Sequence, residues 1–96
     1  MNAHAYSVLT TAHFDRLLKK LAPKHPELVA RFEEAIAVLS VDPYNKSRIH
    51  PIKKLEDVKA GEGQFRLRSG RFRFRYDIEG AEVVLLYCGL RREDTY

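Results

Sequence analysis

The sequence predicts an α+β fold in the order β-α-α-β-β-β, with a helix hairpin packed on one face of a small, mainly antiparallel four-stranded sheet. Three observations favour this fold. Two amphipathic segments with helical spacing are separated by a short turn at residues 22–25. On either side of Ser69-Gly70, arginines alternate with apolar side chains, which is the period of a half-buried strand. Residues 83–88 are apolar throughout, as expected for a central strand.

The first three elements follow from residue type and spacing. Residues 6–10 are rich in β-forming side chains and predict a first strand. A threonine at its end can cap a helix over residues 12–21, where apolar side chains fall on one face. Pro26 suits the first turn of a second helix, which ends before Asp42-Pro43. Because four residues join the helices, they should pack as an antiparallel hairpin.

The second half of the chain predicts three more strands. Residues 43–62 are polar and predict an irregular connection. Strands over residues 64–68 and 71–78 form a hairpin, and a second turn leads into a strand over residues 82–88. Alternation in the first hairpin gives a core face, to which Tyr76 belongs, and an opposite polar face. The predicted polar face consists of Arg66, Arg68, Arg71, Arg73, Arg75 and Asp77.

Positive charge is concentrated in the same region. The 96-residue chain has a net charge of +4 and a pI of about 9.4. Between Lys46 and Tyr76 it has ten basic and three acidic residues, so the rest of the chain is net negative. A localised basic surface favours an anionic partner. Two interpretations stay open, a solvated strand face and a surface that binds phosphate.

The choice of arginine over lysine in the strands favours phosphate. A guanidinium binds phosphate through two hydrogen bonds and stacks on bases, whereas lysine would serve solubility equally well. Like charges on neighbouring strands cost stability, and a bound anion would offset this cost. Arginines beside aromatic side chains also suit RNA, whose unstacked bases lie against planar groups.

Metal-free RNA cleavage also needs groups that move protons. A base removes the 2′-OH proton, cations stabilise the phosphorane, and an acid protonates the leaving 5′-oxygen. Arginines can supply the cations, but they are poor bases at neutral pH. The remaining candidates are His50 and the tail residues Arg91, Arg92, Glu93, Asp94 and Tyr96. Cations around a phenol favour its phenolate and lower its pKa.

Cysteine content and hydropathy limit the cellular context. Cys88 is the single cysteine, so an intrachain disulfide is impossible and a reducing cytoplasm is expected. The chain has no leader-like N-terminus and no apolar stretch of membrane-spanning length. Its histidines lack metal-ligand spacing, and no glycine-rich phosphate loop is present. We therefore expect one cytoplasmic domain over residues 1–96, without metal, cofactor or membrane partner.

Three motifs resemble those of the RelE/ParE superfamily, the small bacterial toxins of type II toxin–antitoxin modules. Residues 63–76, GQFRLRSGRFRFRY, resemble the family's arginine-bearing strand, glycine turn and Arg-x-x-Tyr-like strand. Residues 51–55, PIKKL, resemble the lysine–leucine segment that precedes this strand in the family. Residues 89–96, GLRREDTY, resemble the family's C-terminal arginine-rich motif, which ends with tyrosine. The predicted element order fits the family over nearly the whole chain.

The resemblance implies a role for each matching residue. Arg73 would lie next to the scissile phosphate, Arg91 would be an acid or a transition-state contact, and Tyr96 would be the candidate base. The residues expected to bind phosphate or RNA are Arg66, Arg68, Arg71, Arg75, Lys53, Lys54 and Arg92.

RelE-like members cleave mRNA in the ribosomal A site, whereas ParE-like members poison DNA gyrase with the same fold. The resemblance therefore implies a ribosome-dependent, metal-independent endoribonuclease toxin. Its partners would be a cognate antitoxin, the ribosome and mRNA, and it would be a monomer when free and a hetero-oligomer with the antitoxin. A gyrase inhibitor stays open because both types share the fold. A catalytically inactive RNA- or antitoxin-binding member stays open because Leu90 stands where many relatives carry histidine.

Overall fold

The computed structural model describes residues 5–91, which form two helices and one five-stranded mixed sheet. The elements in chain order are β1 (Ser7–Thr10), α1 (Ala12–Leu21), α2 (Glu27–Leu39), β2 (Ile52–Lys54), β3 (Phe65–Ser69), β4 (Phe72–Glu79) and β5 (Glu82–Leu90). The strand order across the sheet is β1-β5-β4-β3-β2. β1 runs parallel to β5, and the other neighbouring strands are antiparallel. The predicted α+β class is confirmed.

Both predicted helices are present, and local chemistry sets their ends. The side chain of Thr11 caps α1 by accepting the N–H of Phe14 at 3.1 Å. α2 begins after Pro26, whose φ of −56° already suits a helix. The N–H of Ser40 donates to the carbonyl of Ile36 at 2.9 Å and closes α2.

The core lies between the two helices and one face of the sheet. The ring of Phe14 lies 5.4 Å from that of Phe32 and 6.4 Å from that of Phe74, so it joins both helices to β4. Tyr76 is fully buried, and its hydroxyl donates to the carbonyl of Pro43 at 2.7 Å. Burial raises the pKa of Tyr76. The prediction that Tyr76 is a core residue is therefore confirmed.

The sheet has one strand more than the four that the sequence predicts. Within the connection predicted to be irregular, Ile52–Lys54 pairs antiparallel with β3 and places Ile52 opposite Leu67. The N–H of Leu55 continues the pairing by donating to Gln64 at 2.7 Å. A three-residue strand with one apolar side chain is too short to show alternation, so only its pairing with β3 reveals it.

Candidate nucleic-acid interface

The sheet face opposite the helices carries a cluster of cations. In the pairing of β3 with β4, Arg66 lies opposite Arg75 and Arg68 lies opposite Arg73. Lys53 of β2 lies opposite Arg66 and extends the first of these rows. Side chains in such directly opposed positions have Cβ atoms about 4.5–5.5 Å apart. We call these five residues the cationic face.

The cationic face combines exposed and partly buried charge. Lys53 and Arg68 are exposed, whereas Arg66 and Arg73 are half-buried with their Nε atoms withdrawn from solvent. Arginines placed opposite each other repel, because like charges at cross-strand positions are destabilising. An anion held between the two strands would relieve this repulsion. Two guanidiniums at neighbouring positions also match the geometry of phosphate oxygens.

Arg75 differs from the other arginines because it holds the loop that precedes β3. Its Nε and Nη2 donate to the carbonyl oxygen of Gly63 at 3.2 and 2.9 Å. Asp77, only 3% exposed, accepts the N–H groups of Gly61, Gly63 and Gln64 at 2.6, 3.3 and 2.8 Å. Residues 61–64, which we call the glycine loop, therefore lie along one end of the cationic face.

Gly63 is suited to its place in the glycine loop by its backbone and its surroundings. Its φ is +84°, a conformation that residues with a Cβ seldom adopt. A Cβ built on Gly63 would also lie 3.0 Å from the Cβ of Arg75. Only glycine lets the loop approach β4 closely enough for the hydrogen bonds with Arg75 and Asp77.

Two predicted site residues lie away from the cationic face. The prediction that Arg71 shares a face with Arg73 is wrong, because β4 begins at Phe72 and Arg71 belongs to the preceding turn. The guanidinium of Arg71 instead lies 3.4 Å from the carboxylate of Glu27 at the start of α2. Lys54 lies opposite Phe65 on the helix side of the sheet, with its ammonium 5.8 Å from the centre of that ring.

The terminal motif is described only as far as Arg91. Arg91 directly follows β5, and its N–H donates to the carbonyl of Arg71 at 2.8 Å. This places it at the end of the sheet where Arg73 pairs with Gly89. The predicted site residues Arg92 and Tyr96 lie outside the described residues.

Tyr87 reaches the cationic face and was missed by sequence reasoning. Arg75 lies opposite Tyr87, but the next residue, Tyr76, lies opposite Leu85, so Leu86 is an extra residue in β5. This bulge turns Tyr87 to the same side as Arg75, although simple alternation from Leu85 predicts the core side. No residue at the bulge signals it in the sequence, so only the pairing of β5 with β4 reveals it.

His50 is held in the loop that follows α2. Its N–H donates to the side-chain oxygen of Asn45 at 3.1 Å, and its ring Nε2 lies 3.8 Å from the carboxylate of Asp42. That carboxylate also accepts the Ser47 hydroxyl at 2.6 Å and the N–H of Lys46 at 2.8 Å. The hydrogen bond from Ser47 is the main reason that the pKa of Asp42 lies below its usual value. His50 therefore belongs to a polar network of this loop.

Other candidate chemistries find little support among the described residues. Cys88 is buried, and burial raises the pKa of its thiol to about 12, so it is a core residue and not an available nucleophile. Across residues 5–91, no three His, Cys, Asp or Glu side chains gather as metal ligands would. Neither helix in this range has the length and apolar character needed to cross a bilayer.

Chains of solved toxin–antitoxin complexes resemble this chain. One is a chain of the toxin–antitoxin complex RelBE2 from Mycobacterium tuberculosis, which is 30% identical, with a TM-score of 0.65 over 91% of this chain and 99% of that chain. The other belongs to the RelB–RelE antitoxin–toxin complex from Methanococcus jannaschii, at 17% identity and a TM-score of 0.56 over 88% and 92% of the two chains. The second likeness shows the fold alone. No family model and no curated protein sequence matches the chain.

Proposed function

Because the chain belongs to the RelE/ParE superfamily and is a component of a toxin–antitoxin system, we propose that it is the toxin and that it cleaves mRNA in the ribosomal A site. The observation that carries the proposal is the cationic face, where Arg68 and Arg73 lie opposite each other on neighbouring strands. A pair of guanidiniums is suited to a phosphodiester, whose charge increases in the transition state of cleavage. The partly buried Arg73 is suited to the scissile phosphate, and the exposed Arg68 to a neighbouring contact.

In the proposed reaction the RNA supplies its own nucleophile. A base removes the proton of the 2′-OH, the 2′-oxygen attacks phosphorus, and the bond from phosphorus to the 5′-oxygen breaks as that oxygen receives a proton. The products are a 2′,3′-cyclic phosphate and a 5′-hydroxyl. Arg66, Arg68 and Arg73 stabilise the phosphorane. Tyr96 is the proposed base, and Arg91 is the proposed acid or transition-state contact.

The proposed partners follow from the same function. mRNA and the ribosome provide the phosphates that the cationic face binds, and the cognate antitoxin neutralises the toxin. We propose that an acidic segment of the antitoxin covers or disturbs the cationic face, giving a hetero-oligomer in the cytoplasm and a monomeric toxin when free. No metal or cofactor is required by this reaction.

A catalytically inactive RNA-binding protein is the second candidate, and Leu90 is the observation that favours it. Leu90 lies opposite Phe72 and packs against the core, so this position provides no group that can exchange a proton. A protein of this kind would bind RNA with a steep salt dependence and would not cut it. A gyrase inhibitor of the ParE-like type is the third candidate, and it predicts no effect on translation.

Primer extension on a defined mRNA in a reconstituted translation reaction tests the three candidates together. We expect new 5′ ends inside the open reading frame when the protein and ribosomes are both present, and none when ribosomes are omitted. An intact mRNA with normal translation, combined with loss of supercoiling by gyrase in a parallel assay, would support the gyrase inhibitor. An intact mRNA with RNA binding but unaffected gyrase would support the inactive member.

A further inference from the structure

The phenol of Tyr87 occupies the space in front of Gly89. A Cβ built on Gly89 would lie 2.8 Å from Cζ of Tyr87 and 3.1 Å from its Cε2, and closer still to the hydroxyl oxygen. The φ of Gly89 is not in the left-handed region, so the backbone there does not itself call for glycine. The three atoms nearest to the added Cβ all belong to Tyr87. Glycine at this position leaves room for the tyrosine ring, and any larger residue would require that ring to move aside.

The hydroxyl end of this ring lies beside the arginines. Gly89 is the cross-strand partner of Arg73, and Arg73 is in turn the partner of Arg68. The Cα atoms of residues opposite each other in antiparallel strands lie within about 5.5 Å. The bulge at Leu86 brings Tyr87 to this side of the sheet, and the missing side chain of Gly89 lets its ring lie along β5 toward Arg73.

We propose that Tyr87 contacts the substrate, with its phenolic hydroxyl donating a hydrogen bond to the phosphate that Arg73 binds. This inference rests on the proposed function, because it takes an RNA phosphate as the ligand of the cationic face. A phenol is a neutral donor at neutral pH, and it adds a directional contact to the charge that the arginines supply. Because Gly89 has no side chain, the ring can lie over β5 with its hydroxyl next to the cross-strand partner of Arg73.

Tyr87→Phe is the direct test, since it removes the hydroxyl and keeps the ring. Loss of one hydrogen bond to a charged group should lower the rate of mRNA cleavage on the ribosome roughly 10- to 100-fold. Tyr44→Phe is the matched control, because Tyr44 is 48% exposed in the loop after α2 and lies outside the cationic face. We expect this control to cleave at the wild-type rate. Cleavage by Tyr87→Phe at the wild-type rate would overturn the proposal.

A double-mutant cycle tests whether the position of the Tyr87 ring depends on the absence of a side chain at Gly89. Gly89→Ala should push the phenol aside and reduce cleavage as much as Tyr87→Phe does. In a Tyr87→Ala background the obstructing ring is gone, so adding Gly89→Ala should cause no further loss. Circular dichroism and thermal unfolding of the four proteins check that each is folded. If the losses in cleavage rate caused by Gly89→Ala and Tyr87→Ala were additive in the double mutant, the assigned role of Gly89 would be wrong.

The experiments distinguish failure of the proposed endoribonuclease function from failure of the proposed Tyr87 contact. If the wild-type protein does not cut any mRNA on the ribosome, the endoribonuclease proposal fails. The proposed Tyr87 contact is then tested by measuring the affinity for a short RNA with 2′-O-methyl groups, which cannot be cleaved. Weaker binding of this RNA by Tyr87→Phe than by wild type and Tyr44→Phe upholds the contact, and equal binding by all three overturns it.

Discussion

The guanidinium of Arg75 donates two hydrogen bonds to the carbonyl oxygen of Gly63, from Nε at 3.2 Å and from Nη2 at 2.9 Å. Asp77, two residues further along β4, accepts the N–H of the same glycine at 3.3 Å. Both polar groups of the Gly63 backbone are thus held by side chains of one strand. The sequence predicts Arg75 as a phosphate ligand, and these bonds give it a structural role as well.

Arg75→Gln should therefore destabilise the protein more than the equivalent change at Arg68. Gln is shorter and lacks the planar fork, so the Gly63 carbonyl would lose a charged donor, at a cost of about 1–3 kcal/mol. Arg68 is exposed, and Arg68→Gln should change the free energy of unfolding by less than about 0.5 kcal/mol. Urea unfolding measures both values. Equal stability of the two variants would argue against the structural role of Arg75.

Lys53 and Lys54 provide a matched pair of adjacent lysines on opposite faces of the sheet. Lys53 lies opposite Arg66 on the cationic face, whereas Lys54 lies over the ring of Phe65 on the helix side. Lys53→Gln should weaken binding of single-stranded RNA and reduce the slope of log affinity against log salt by about 0.7, the value for one phosphate contact. Lys54→Gln should leave this slope unchanged.

Fluorescence anisotropy of a labelled RNA at several salt concentrations checks this pair. Both variants remove one positive charge, so a general effect of net charge would lower the affinity of both equally. Equal slopes for the two variants would show that RNA does not distinguish the two faces of the sheet.

Asp42 should make stability depend on pH in the acidic range. Its pKa is lowered in the folded protein, chiefly by the hydrogen bond from the Ser47 hydroxyl. A carboxyl of this kind stabilises the fold above its unfolded pKa of about 4, and the contribution is lost as the pH falls through the lower folded pKa. Asp42→Asn should therefore lose less stability than wild type between about pH 5 and pH 2.

Urea unfolding across this pH range measures the effect of Asp42. Ser47→Ala is a second test, because it removes the largest cause of the lowered pKa and should also flatten the dependence. Parallel curves of unfolding free energy against pH for wild type and Asp42→Asn would contradict the assignment.

The parts of the fold that local patterns determine were predictable from the sequence. α1 and α2 have helical spacing of their own, and alternation over eight residues defines β4. β2 was not predictable, because three residues that include two lysines become a strand only through pairing with β3. The parallel position of β1 beside β5 is likewise a long-range result.

The candidate site was also predicted only where a local pattern determines it. Alternation correctly placed Arg73 and Arg75 opposite the core, because both lie inside a regular strand. It failed at Arg71, which belongs to the turn that breaks the alternation. It made no prediction for Tyr87, because residues 83–88 are apolar throughout and the bulge at Leu86 decides which face Tyr87 joins. At both positions the period of two is interrupted, and strand pairing alone shows such interruptions.

Primer extension with Arg73→Ala in the reconstituted translation reaction tests the central claim most directly. Arg73 lies in the cationic face, and Arg71, two residues earlier, lies beside Glu27 at the start of α2. Removal of one charged donor to the transition state should reduce cleavage roughly 10²- to 10³-fold for Arg73→Ala. Arg71→Ala, which removes the same charge, should cleave like wild type. Undiminished cleavage by Arg73→Ala, or an equal loss in both variants, would contradict the assignment of the site to the cationic face.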